Sequence, residues 1–273
     1  MTLSRTAIFA GNFFSGRLFP LAIDIAVRDL EAKYKRSFAG LLWLVLTPLA
    51  MLGLYWMVFG VILNVSWQDP STSEKVGFVL PFFIGLVFYL FFADVVISSA
   101  NLFVSKRNYV IKSSFPLWVL WLANLIRSGT HASINLGLLS MLAINNNRFY
   151  WDGVLWAFAI VASGLLFVGA SSLLISCIGP FIGDISEAAG LGLRVLFYTA
   201  PVTYPLEIVP ANYRFLLWFN PLTHIIEPAR RAIVYGKAPD LTLMMLFMAI
   251  SFLLFFLSLW VFKRTKGVIP DVV

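Results

Sequence analysis

Charged residues are scarce in this sequence. Asp, Glu, Lys and Arg make up 12 % of its 273 residues, where a water-soluble domain carries roughly 25 %, so water is excluded as the main solvent. Cysteine occurs once, which rules out an intramolecular disulfide. Cys177 lies in an apolar run and reads as a small buried apolar residue. The two histidines, His131 and His224, are far apart, and no acidic cluster accompanies them, so zinc, haem and metal-assisted transfer chemistry find few ligands. No stretch matches Gly-x-x-x-x-Gly-Lys-Ser/Thr, the loop whose backbone amides cradle nucleotide phosphates. Any ATP is therefore expected on another chain. Residues 1–36 are interrupted by Arg5, Arg17, Asp24, Arg28 and Asp29, so no cleavable secretory signal is expected.

What fills the space is apolar: 60 % of the residues are hydrophobic. Runs free of Asp, Glu, Lys and Arg cover Ser37–Gln68, Val76–Ala93, Ser128–Asn147, Gly153–Gly183 and Leu241–Phe262, each near or above the ~20 residues that cross a bilayer as helix. A sixth, Gly190–Leu206, holds only Arg194 and ends in a Pro-rich stretch, the pattern of a helix that breaks at membrane depth. The expectation is an all-α integral membrane protein of six transmembrane helices in one permease domain, residues 1–273.

Basic residues give the direction. Arg5, Arg17, Arg28, Lys33, Lys35 and Arg36 precede the first run, Lys106, Arg107 and Lys112 fall in loop 100–115, and Lys263, Arg264 and Lys266 follow the last. All belong inside, and with six spans both termini are cytoplasmic. Loops 64–78 and 145–152, outside, hold only Lys75 and Arg148. Segment 205–240 breaks the rule with Arg214, Arg230, Arg231 and Lys237. The net charge of +7 comes with no basic patch interleaved with stacking aromatics, so anionic lipid rather than nucleic acid is the expected counter-charge.

Four groups of residues are candidates for function. Over 21–38, Ile23, Val27, Leu30, Tyr34 and Phe38 recur at helical spacing, with Asp24, Arg28, Glu31 and Lys35 opposite: an amphipathic interface helix, either a membrane-surface anchor or a docking surface. Loop 100–115, closed by Pro116, is long enough for one or two helical turns parallel to the membrane, as a strut or a plain connector. Asp94 and Arg127 stand at membrane depth, where charge is costly unless paired or hydrated, and are expected either to pair or to leave Arg127 snorkelling. Of the many aromatics, Trp43, Tyr55, Trp56, Phe59, Phe197 and Tyr198 are candidates to line a conduit, against the alternatives of interfacial belts and packing. No internal repeat relates residues 37–140 to 153–262, so a second copy of the pathway is expected from another subunit.

Read together, Arg28-Asp29-Leu30, Lys33-Tyr34-Lys35-Arg36-Ser37, Gly40-Leu41-Leu42-Trp43 and Pro48 resemble the N-terminal signature of type-2 ABC-transporter permeases that export bacterial polysaccharides such as O-antigen, capsule or teichoic acid. Phe115-Pro116 fits the same family. So does a later block, Pro201-Val202-x-Tyr204-Pro205, Val209-Pro210, Tyr213-Arg214, Asn220-Pro221-Leu222 and Arg230.

The resemblance implies that helix 21–38 and a coupling helix in 100–115 contact a separate nucleotide-binding ATPase, present in two copies, through Arg28, Asp29, Lys33, Tyr34, Lys35, Arg36, Lys106, Arg107, Asn108, Tyr109 and Asp184. It implies a homodimer, with ATP and Mg on the partner and no cofactor on this chain. It further implies re-entrant gate helices within 205–240, before the last span, carrying Tyr204, Pro205, Asn220, Pro221, Arg230 and Arg231. The two arginines would meet either anionic substrate or lipid headgroups. Gly183-Asp184-Ile185 stands where members often carry Arg-Asp-Ile.

The function implied is export of a lipid-linked or lipid-capped polysaccharide across the inner membrane, with a periplasmic or outer-envelope export partner left open. The rivals are export of a small molecule or lipid, and an intramembrane transferase for which Asp184 and Glu187 are the local carboxylate pair.

Overall fold

The computed structural model describes residues 18–35, 37–68, 75–112, 115–146 and 150–273. Arg5, Arg17, Arg36 and Arg148 lie outside the described residues. The described chain is almost wholly helical. Helix α1 spans Leu18–Tyr34, and a 3-10 turn, Gly40–Leu42, leads into α2, Trp43–Tyr55. That helix continues as a π-helical stretch over Trp56–Ile62. The two-residue strands β1 (Trp67–Gln68) and β2 (Lys75–Val76) pair antiparallel, Trp67 opposite Val76, and α3 follows over Val79–Ala100. Two one-turn helices come next, α4 (Leu102–Ser105) and α5 (Arg107–Val110), then α6 (Trp118–Asn145) and α7 (Trp151–Ile178). The rest comprises α8 (Ile185–Thr199), α9 (Arg214–Trp218), α10 (Thr223–Tyr235), α11 (Leu241–Thr265) and α12 (Ile269–Val272).

Among the described residues, four helices are long and apolar enough to cross a membrane: Gly40–Ile62, Val79–Ala100, Trp151–Phe181 and Leu241–Thr265. With these, the chain is a multi-pass membrane protein. Helix α6 has the length but starts ten residues earlier than its charge-free run, at Trp118, and so carries Arg127 in its interior. Helix α8, at 15 residues, is about 22 Å long, shorter than the ~30 Å hydrocarbon layer. Likewise α3 extends past Ala93, placing Asp94 inside the helix rather than at its edge.

The buried side chains form two clusters. One is rich in aromatics and centres on α3, with Phe82, Phe83 and Ile84 fully buried, joined by residues of α7, α8 and α10. The other gathers Ala22, Ile25 and Ala26 of α1, Leu102 and Phe103 of α4, the start of α6, and Cys177, Phe262 and Ile269 near the ends of α7, α11 and α12. The expected buried role of Cys177 matches its full burial.

Helix α3 runs from one cluster towards the other and defines two ends of the bundle, one holding the β hairpin and α9, the other holding α1, α4 and α12. Helix α7 approaches both ends closely through glycine. A Cβ on Gly153 would overlap the Ala232 carbonyl of α10, and one on Gly179 would overlap the Ala100 carbonyl at the end of α3; small residues let membrane helices pack backbone to backbone.

Candidate functional site

At the α1 end, small residues decide the packing. Ala22, Ile25 and Ala26 bury against α6, while Ile23 and Val27 of the expected apolar stripe are exposed to 38 % and 45 %. Ile23 and Val27 therefore face away from the protein, whereas Leu30 and Tyr34 of the same stripe are half-buried; the helix ends at Tyr34, short of Phe38, which is wholly exposed. The Lys106 ammonium, between α4 and α5, pairs with the Asp29 carboxylate of α1. This contact clasps the two segments together. Around the clasp, Arg28, Lys33, Lys35, Arg107 and Asn108 are exposed, and Tyr109 packs on Phe115 with ring centroids 5.2 Å apart. Asp184 is also exposed, in the turn before α8.

Deeper in, Asp94 and Arg127 come together at 3.3 Å. His131, one turn along α6, places Nδ1 at 3.5 Å from the same carboxylate. Arg127 also donates to Ser128 Oγ (2.9 Å) and Asn124 Oδ1 (3.2 Å). Asn124 Nδ2 in turn donates to Ser99 Oγ, which shares a 2.7 Å hydrogen bond with Ser172 Oγ. One polar chain thus links α3, α6 and α7. It provides what a buried charge requires, a counter-charge and hydrogen bonds for its remaining donors. Sequence reasoning singled out Asp94 and Arg127 but not Asn124, His131 or Asn135, although these recur with Arg127 at steps of three and four, a polar stripe on an apolar helix. The Tyr34 ring lies 6.3 Å from His131. Burial raises the pKa of its phenol, the Asp94 charge adds to this and the Arg127 charge opposes it.

The conduit aromatics divide. Trp43, Trp56 and Tyr198 are exposed to 46 %, 49 % and 70 %. Phe197 is buried, with its ring 5.8 Å from Tyr55 and 4.7 Å from Tyr89, and Tyr55 stacks on Phe59 at 5.9 Å. Within one copy of the chain, Phe197 joins α2, α3 and α8 instead of facing open space, because aromatic rings pair edge and face at these separations.

At the hairpin end the expected cationic group is sealed. Arg230 is 1 % exposed. Its Nε donates to Pro81 O (3.1 Å), its Nη2 to Pro201 O (2.6 Å), its Nη1 pairs with Glu227, and the guanidinium lies 5.0 Å from the Trp67 ring centroid. Arg230 therefore offers no charge to the outside; it ties α10 to α3, to the Pro201–Val202 turn and to the hairpin. Arg214 is similarly occupied, donating to Val209 O and Glu207 O. Two of the cations that break the charge rule are thus held by backbone carbonyls, those of Pro201, Glu207 and Val209 in the turn-rich stretch and that of Pro81 in α3.

Asn220 is buried and donates to Leu196 O (2.8 Å) and Thr199 Oγ1 (2.9 Å) while accepting from Leu222 N. It thereby adds a second hydrogen bond to the Leu196 carbonyl, which already accepts from Ala200 N, and fastens its own turn to the end of α8. Pro221, half-buried, follows it, and Tyr204 donates to Tyr198 O at 2.8 Å, just before the buried Pro205. Arg231 is exposed and lines a cavity of about 380 Å3 with Glu207, Trp218, His224 and Asp240.

A bundle of apolar helices, closed at one end by the ion-paired helix α1 and at the other by a turn-rich cap, is the architecture of a multi-pass membrane protein. The ABC-2 type transporter model matches residues 24–234, and the chain belongs to that family. It is 26 % identical to the O-antigen export system permease protein RfbA of Klebsiella pneumoniae, over 92 % of this chain and 94 % of that one. To the protein of the same name from Myxococcus xanthus it is 23 % identical over 90 % and 92 %. The polysialic acid transport protein KpsM of Escherichia coli is 22 % identical over 77 % of this chain and 80 % of its own.

Proposed function

We propose that this chain is the permease subunit of an ATP-driven exporter that moves a lipid-linked or lipid-capped polysaccharide outward across the bacterial inner membrane. Family membership over 24–234, and relatives named for O-antigen export and polysialic acid transport that align along most of their length, support the substrate class. The observation that carries the coupling is the Lys106–Asp29 clasp. It makes α1 and the α4–α5 segment one body fringed by the exposed Arg28, Lys33, Lys35 and Arg107. That body is the docking surface for two copies of an ATPase, and closure of the ATPases moves it as a unit. On this reading the α1 end is cytoplasmic and so are both termini. Six helices span, with α6 and the short α8 completing the four apolar ones. The 205–240 segment caps the outer mouth, and a second copy of the chain completes the path. Trp43, Trp56 and Tyr198, exposed on one copy, face that path, since aromatic faces stack on sugars without requiring one fixed register.

Co-purification tests this. The wild-type chain is expected to capture the nucleotide-binding protein encoded beside it, and Lys35→Glu and Arg107→Glu to weaken capture at least tenfold. Absence of capture in every detergent and lipid tried would leave a self-contained carrier or membrane enzyme.

A further inference from the structure

A cavity of about 320 Å3 opens between α1, α2, α3 and α6, with Lys33, Tyr34, Trp43, Asp94, His131 and Asn135 in its wall. The volume falls in the range of small-ligand sites, roughly 300–1,000 Å3. Its polar wall is unfinished. His131 Nε2 and Asn135 Oδ1 are each buried without a hydrogen-bond partner among the described residues, Asn135 is only 7 % exposed, and Asp94 Oδ2 beside them is met only by its ion-pair contacts to Arg127 and His131 at 3.3 and 3.5 Å. A buried polar atom left unpaired is costly, so two on one wall, next to a carboxylate oxygen with acceptor capacity to spare, call for a ligand that completes them.

The chemistry of the three atoms narrows that ligand. A carboxylate oxygen and an amide oxygen accept and do not donate, while the imidazole nitrogen does either according to its tautomer. An acyl chain brings no donor. A phosphate brings mainly acceptors, and its negative charge would meet that of Asp94. A sugar ring brings several hydroxyls that both donate and accept, fitting either tautomer of His131. Its C–H face fits the rings of Tyr34 and Trp43. The exposed ammonium of Lys33 stands on the same wall, where a phosphate attached to that sugar would find its counter-charge.

We infer that this cavity binds the phosphate-bearing first sugar of the lipid-linked glycan, its hydroxyls on Asp94, His131 and Asn135 and its phosphate on Lys33. The source of this ligand rests on the exporter reading; the site itself rests on the unfinished wall. Arg127, held by Asn124 and Ser128, fixes the Asp94 carboxylate from behind and acts as a positioning residue.

The test uses the full chain with its ATPase in lipid nanodiscs and saturation-transfer difference NMR, which reads weak ligands. The probes are glucose 1-phosphate, N-acetylglucosamine 1-phosphate, inorganic phosphate and phosphoethanolamine. Ring-proton signals are expected from at least one sugar phosphate, and inorganic phosphate should displace it at least tenfold less well. Asn135→Leu should weaken binding tenfold or more, and Asn135→Asp, which keeps the acceptor, should retain it. Should Asn135→Leu not fold, Trp43→Ala, on an exposed part of the wall, carries the same expectation. No ring-proton signal, equal binding by the variant, or displacement by phosphoethanolamine as effective as by the sugar phosphate itself overturns the proposal; the last result would make the cavity a headgroup-amine site. ATPase capture on the same preparations separates the two readings. Capture without sugar binding removes the cavity proposal alone, and sugar binding without capture removes the exporter reading alone.

Discussion

The two ends of the bundle each hold a cation paired with a carboxylate, and the two pairs are built on opposite principles. Lys106 and Asp29 are both about one quarter exposed, at 24 % and 26 %. Arg230 is 1 % exposed, and its donors are distributed over a carboxylate, two carbonyls and an aromatic face. Helix α3, 22 residues long, separates them by about 33 Å. A partly exposed Lys pair contributes little stability and re-forms readily. A sealed guanidinium is costly to disturb, because whatever it leaves behind stays buried and unpaired. On the proposed exporter reading, the first arrangement suits a surface that moves with a partner, and the second a cap that holds its shape while the rest moves.

Variants sharpen this contrast. The largest effect is expected from Arg230→Ala, which strands Glu227 and removes the tie to the Pro81 and Pro201 carbonyls; a loss of about 3–5 kcal/mol should appear as a drop of the thermal unfolding midpoint in nanodiscs. Arg230→Lys should recover less than half of it, since an ammonium cannot reproduce the planar fork. Next comes Arg127→Leu, with an expected loss of about 1.5–3 kcal/mol; exchanging the charges by Asp94→Arg with Arg127→Asp should restore part of it, and failure to do so would remove the pair from the account.

Gly179→Ala should cost about 1–2 kcal/mol through the Ala100 carbonyl, read by the same unfolding assay and by accelerated proteolysis at the α1 end. The smallest stability effect belongs to Asp29→Ala or Lys106→Ala, at most about 1 kcal/mol. Their ATPase capture should nonetheless fall severalfold, and the exchange of charges, Asp29→Lys with Lys106→Asp, should restore it. Equal stability losses at the two ends would break the comparison.

The apolar helices were legible because length and lack of charge are read directly from sequence, and the intramembrane Asp94 and Arg127 stood out against them for the same reason. The partners of Arg230 were not legible: two are backbone carbonyls 149 and 29 residues away, which no side-chain pattern announces. On α10 the arginine therefore reads as an exposed gate charge. The face by which α1 packs on α6 is not marked in the sequence for a related reason. Large apolar residues at helical spacing mark Ile23 and Val27 as the stripe, whereas close approach to α6 selects the small Ala22 and Ala26 beside Ile25. His131 and Asn135 were overlooked because a neutral polar residue carries no signal until its neighbours, and the space it faces, are known.

The π-helical stretch Trp56–Ile62 at the end of α2 has its own consequence. Its wider turn is seen where the Leu63 amide reaches back five residues to Val58 O, and such a turn accommodates a residue that a regular helix would have to place elsewhere. Removing one residue there would turn everything beyond it by about 100°, so that Val58, Phe59 and the approach to the β hairpin would swap the directions they face. In this part of the chain a single-residue deletion acts as a rotation, and the facing of these rings is set by a count of residues as much as by which residues they are.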